Sequence, residues 1–185
     1  MATARAPREA LLETAARLFA DLGYDQTTSA LIAVSAGVPV KTITEEFGGR
    51  RGLYRAVYQR LQEWEFELVE TYFREGMTLE ELHRFADIHL DLLDEKPHVA
   101  ALRVQRWMHD AVDTEIEGDF VRPQADRVIA ALTPLCREGV DPTLAMWMLS
   151  WMAQLHTLGG IPGERPGPRF RRHAHAMIDT LMRQP

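Results

Sequence analysis

Apolar side chains recur along this chain with the period of a helix. In residues 8–22, Leu11, Ala15, Leu18, Phe19 and Leu22 fall at i, i+4, i+7, i+8 and i+11, one stripe of an amphipathic helix, and Gly23 ends it. Thr27, Thr28 and Ser29 offer hydroxyl caps to a short second helix through Ala36. Gly37 allows a tight turn, Val38 plugs it, and Pro39 is predicted as the first residue of a third short helix running to Phe47. Gly48 and Gly49 separate that helix from a long one starting near Arg50, with Leu53, Val57, Leu61, Trp64, Leu68 and Tyr72 on one face.

The same reasoning predicts helices over 78–95, opened by Thr78 with Glu81 three residues on, over 97–112, opened by Pro97, and over 119–138, opened by Asp119 and closed by Gly139. Asp141 and Pro142 open a strongly apolar helix to Leu158, the run GGIPGERPGP is a loop, and a last helix extends from about Pro168 to Arg183. No segment alternates like a strand with a hairpin partner. The expected fold is all-α with about nine helices, a short-helix head at 1–50 on a long-helix body at 51–185.

Composition narrows the setting. With 185 residues, 46% of them hydrophobic and 26% charged, the chain is ordinary globular material. Its longest uncharged apolar stretch, Leu144 to Leu155, is too short to span a bilayer, and the N-terminal residues lack an export signal, so a cytoplasmic protein with no membrane partner is expected. A lone Cys136 excludes an internal disulfide. The net charge of −6 argues against nucleic acid until the chain is divided. Residues 1–58 carry seven Lys/Arg against six Asp/Glu, whereas 59–185 carry 14 against 21, so the acidity belongs to the body.

Residues 28–47, TSALIAVSAGVPVKTITEEF, place two short helices across a Gly-containing turn, with Ile32, Ala33, Ala36, Val38, Ile43 and Phe47 as inner contacts. The second of these helices leaves Pro39, Val40, Lys41, Thr44 and Glu45 outward, in position to meet base edges in a major groove. Over residues 8–58, the order and spacing of LFADLGYDQTT, IAVSAGV, a helix ending in Phe47 and a basic residue opening a helix with Leu53 resemble the tetracycline-repressor (TetR) family of transcriptional regulators. That resemblance implies phosphate contacts from Thr28 and Arg50, base or backbone contacts from Val40, Lys41 and Thr44, and a phosphate near Thr42. Four positions depart from the family pattern: Ala30 stands where a basic residue is common, Thr44 where an aromatic is common, and Glu45 and Glu46 put carboxylates beside a polyanion. Glu45 either accepts from cytosine N4 or is a solvated face residue. Arg5 and Arg8 either reach DNA from a flexible arm or are solubilising charges.

In the body, the all-round apolar helix at 142–158 must be covered all round. The resemblance implies that two C-terminal helices of each subunit form a four-helix homodimer interface, which assigns Trp147, Phe170, Ala174, Met177, Ile178 and Leu181 to the dimer; a wholly intramolecular core is the alternative. Trp64, Trp107, Met148 and Trp151 suit either an adaptable apolar cavity or a plain core. His89 on an apolar face and Arg103 one turn from Trp107 want polar partners, a ligand or a neighbouring carboxylate. His83 with Asp87 and His109 with Asp113 have metal-ligand spacing but no third ligand, and no nucleophile elbow, phosphate loop or dinucleotide fingerprint occurs, so neither an enzyme, a metal nor a cofactor is expected. The basic cluster Arg165, Arg169, Arg171 and Arg172 with His173 and His175 reads as a solvated end of the loop and last helix, with a second anion site as the alternative. The expected function is a homodimeric regulator, a repressor as is usual in the resembled family, that leaves its double-stranded DNA operator when the body binds a largely apolar small-molecule effector. The rival is a homodimeric small-molecule or protein-binding module with an eroded head.

Overall fold

The computed structural model describes residues 5–108, 110–159 and 167–183, and among these residues the chain forms nine α-helices and no strand. The head is built from α1 (Arg5–Leu22), α2 (Ser29–Ala36) and α3 (Val40–Phe47). Thr28 caps α2 by accepting from the Leu31 N–H at 3.1 Å, and Gly37, at φ 67°, closes α2 in the left-handed region and starts the turn into α3. Pro39 is the N-cap of α3 and not its first residue: its ψ of 141° is extended, and the helix begins at Val40. Ala33 of α2 and Ile43 of α3 are both buried in the head core that the two helices share.

α4 (Arg50–Tyr72) runs from head to body, and its buried face changes on the way. Leu53, Tyr54, Val57 and Tyr58 belong to the head core, where the Tyr54 ring meets Phe19 edge-on at 4.8 Å and Tyr24 at 5.0 Å. Farther along, Val69 and Phe73 enter a second core in the body. The expected boundary at residue 50 is therefore no break in packing: the head core takes in two turns of α4 and also Leu102, Ala111 and Ile116. Gly52 shows how tightly α4 meets α3, since a Cβ there would lie 1.7 Å from the Phe47 carbonyl oxygen.

The body adds α5 (Leu79–Glu95), opened by a capping box between Thr78 and Glu81, then α6 (Pro97–Trp107), α7 (Arg122–Leu132), α8 (Pro142–Thr157) and α9 (Pro168–Leu181). Two helix limits differ from expectation. α6 stops at Trp107, short of 112, because the chain turns there and then passes through left-handed Ala111 (φ 53°) and Glu115 (φ 57°). Asp119 does not open a helix to residue 138; it sits in a wide turn at Glu117–Val121, and α7 ends at Leu132 because Pro134 has no N–H to continue the ladder. The link beyond is fastened to the end of α9, with the Arg183 N–H donating to Leu135 O at 2.7 Å and the Arg137 side chain to Met182 O at 2.7 Å.

Candidate DNA interface and ligand cavity

On the head, the outer face of α3 presents Val40, Lys41, Thr44, Glu45 and Glu46 to solvent, while Thr42 is half-buried beside fully buried Ile43. Thr28 is exposed at the start of α2, on the same head. Arg50 is placed differently from a free phosphate contact. Its guanidinium lies over the Tyr24 ring at 4.2 Å and donates to the carbonyls of Tyr24 at 3.1 Å and Asp25 at 3.3 Å, which makes it a brace for the turn between α1 and α2. Arg8 is likewise engaged, over the ring of Phe47 at 5.1 Å. Arg5's side chain, His109 and Arg165 lie outside the described residues and side chains.

The body encloses a cavity of about 190 Å³ between α4, α5, α6, α7, α8 and α9. Leu68, Val69, Phe85, Val128, Leu149 and Met152 are among the side chains that make it apolar. Of the residues expected at a ligand, the structure brings His89, Arg103 and Trp107 to its wall. Met148 and Trp151 do not line it; they lie on the outer face of α8, 46% and 45% exposed. Trp64's side chain lies outside the described side chains. Trp147, expected at the dimer surface, lines the cavity instead and meets Trp107 edge-on at 6.0 Å. Ala174 and Ile178, also expected there, are 2% exposed and line the same cavity, because that stripe of α9 packs on its own subunit's α5 and α8. Phe170, Met177 and Leu181 are half-buried, and the Phe170 ring stacks on His156.

One end of the cavity is polar, and most of it was not foreseen. Tyr58, Gln62 and Glu65 form a polar stripe on α4 at i, i+4 and i+7, beside the apolar positions that dominate the sequence pattern. The same i, i+4, i+7 count that finds an apolar face would have found it. Across from this stripe Arg103 donates to Glu65 Oε2, an ion pair whose side chains are 15% and 6% exposed. Burial lowers the Arg103 pKa to about 10, which leaves it charged at neutral pH. Burial also raises the Tyr58 hydroxyl well above the ordinary tyrosine value, and lowers His89 to about 4, so this imidazole is neutral and receives the Gln154 amide at 3.4 Å.

Arg106, also on the wall, joins the cavity to the head. Its guanidinium donates to Asp110 O at 2.8 Å and Ala111 O at 2.5 Å. The Asp110 carboxylate in turn accepts the backbone N–H of Tyr24, and Gln105 donates to Ala20 O at 2.6 Å. On the opposite side Arg55 holds Thr114 O and Asp119.

Residues 11–57 match the family described as bacterial regulatory proteins, tetR family. The head belongs to the tetR family. The matched segment is the DNA-binding head of a TetR-type transcriptional regulator. No curated protein matches the sequence significantly. Along nearly its whole length the chain shares its fold with solved structures of low identity. The fatty acid degradation regulator FadR from Bacillus halodurans superposes with a TM-score of 0.73 at 14% identity, over 93% of this chain and 94% of that one. A TetR family regulator from Marinobacter aquaeolei VT8 gives 0.72 at 19% identity over 100% of both chains. SmeT, the repressor of the Stenotrophomonas maltophilia multidrug efflux pump SmeDEF, gives 0.70 at 19% identity over 95% of this chain and 90% of that one. Among the described residues no helix is long and apolar enough to cross a membrane, and no group of three or more His, Cys, Asp or Glu is placed to hold a metal ion.

Proposed function

We propose that this regulator is a homodimeric repressor released from its operator when a largely apolar small molecule occupies the cavity of the body. The observation that carries the reading is the position of Arg106, whose guanidinium faces the cavity and holds the same short turn that accepts Tyr24 of the head. A ligand that displaces α6 shifts this contact, and the head moves with it. If the ligand favours a body in which the two heads no longer match successive major grooves, about 34–36 Å apart, it lowers DNA affinity by the same differential free energy. The repressor reading agrees with the role of SmeT, a similar fold.

Dimerisation is assigned to α8. Leu144, Met148, Trp151, Leu155 and Leu158 fall at i, i+4, i+7, i+11 and i+14 and are each at least 42% exposed in the single subunit, an apolar stripe that a soluble protein covers with a partner. The α9 residues Met177 and Leu181, half-buried at its flank, remain candidates for the same surface.

A second reading, a dimer whose head no longer binds DNA, draws on the exposure of Glu45 and Glu46 on α3. A salt-dependent mobility-shift assay on the DNA adjoining the protein's own coding region separates the two. Retardation that weakens steeply with salt supports the repressor; no retardation of any fragment at low salt supports the second reading.

A further inference from the structure

The polar end of the cavity holds an acceptor with nothing to accept. Glu65 is 5% exposed; its Oε2 takes the Arg103 guanidinium, and its Oε1 is buried with no hydrogen-bond partner. Gln62, one turn earlier on the same face of α4, also has a buried side-chain oxygen without a partner. Both side chains line the cavity. A buried carboxylate oxygen left unsatisfied is costly, and because a carboxylate paired with a guanidinium has no proton to give, only a donor can satisfy it.

The charges around it restrict what that donor is. Facing the cavity are Glu65 with Arg103 and Arg106 with Glu117, 3.8 Å apart, two balanced pairs. An ammonium ion entering here loses its hydration and meets two guanidinium groups. A carboxylate drawn to Arg103 has to displace Glu65, leaving a buried anion unpaired. A neutral donor avoids both penalties.

We infer that the cavity takes an uncharged, mostly apolar molecule bearing a hydroxyl group, and that this hydroxyl donates to Glu65 Oε1 while the rest of the molecule fills the space among Val69, Phe85 and Leu149. The inference rests on the cavity being the effector site, as proposed above.

The test uses the whole protein and four compounds of closely similar size: 1-naphthylmethanol, 1-methylnaphthalene, 1-naphthylmethylamine and 1-naphthoic acid. Trp107 and Trp147 on the wall provide a fluorescence readout, checked by calorimetry. The alcohol is expected to bind roughly tenfold more tightly than each of the others, the worth of one buried acceptor satisfied. In the paired variant Glu65→Met with Arg103→Met, the alcohol and the hydrocarbon are expected to bind alike. Tightest binding by the amine or the acid, equal binding of alcohol and hydrocarbon to the wild type, or an alcohol preference that survives in the paired variant overturns the inference and leaves the cavity a ligand site. Failure of all four to bind overturns the ligand site and the inference together. Should the paired variant not fold, the wild-type ranking alone decides.

Discussion

The backbone N–H of Tyr24 donates to the carboxylate of Asp110 at 2.9 Å, a bond that closes 86 residues of chain and ties the turn between α1 and α2 to the end of α6. Both partners are held from elsewhere, Tyr24 by the Arg50 guanidinium over its ring and Asp110 through its carbonyl by Arg106. Removing the carboxylate strands a buried amide, so Asp110→Ala is expected to cost about 1–3 kcal/mol in denaturant unfolding. The same variant is expected to bind DNA with a weaker response to any cavity ligand, read as a smaller shift in operator affinity on adding that ligand.

Lys41 and Arg50, both basic and both in the head, are expected to behave differently. Lys41 is exposed on the outer face of α3, so Lys41→Ala should weaken DNA binding and reduce the slope of log K against log salt by about one counterion. Arg50 is engaged with Tyr24 and Asp25. Arg50→Ala should lower the unfolding midpoint and leave the salt slope close to that of the wild type. A fall in slope equal to that of Lys41→Ala would show that Arg50 turns outward to phosphate.

The exposed carboxylates of α3 give a test of opposite sign. Glu46→Gln removes a like charge from the exposed face of α3 and should tighten binding to all operators alike. Glu45→Gln is to be compared by selection over randomised operators: a loss of preference at one base pair, worth about 1–3 kcal/mol, identifies Glu45 as a reader of cytosine, and an unchanged preference removes it from the specificity set.

If the outer stripe of α8 is the proposed dimer surface, it predicts which substitutions separate the subunits. Trp151→Glu and Leu155→Glu, on the exposed face, should give folded monomers by sedimentation at micromolar concentration. Ile178→Glu, at a position 2% exposed within one subunit, should instead lower the yield of folded protein.

His89 predicts an acid weakness. Its pKa in the fold is about 4 against about 6.5 in the unfolded chain, so the unfolded state takes up a proton first as pH falls. This contribution to stability is fully present above about 6.5 and is lost progressively down to about 4. His89→Asn should make the unfolding midpoint less dependent on pH between 7 and 5.

The helical period, the caps at Thr28, Thr78 and Asp141, and the inner contacts Ala33 and Ile43 were all determined by the sequence alone, because each depends on neighbours within a turn or two. The head was legible for the same reason: its function rests on local spacing across one tight turn. Only the tertiary structure decided which apolar face meets what. Trp147 and Trp151 are one turn apart on α8, yet one faces the cavity and the other solvent, and an all-round apolar helix carries no mark that tells them apart. Ala174 and Ile178 look like a dimer stripe until α5 and α8 of the same subunit cover them. Glu65 and Arg103 stand 38 residues apart, and their pairing, with the buried oxygen it leaves over, exists only once the fold brings α4 and α6 to the wall of one cavity. Such burial depends on contacts remote in sequence, which the local pattern of one helix does not encode.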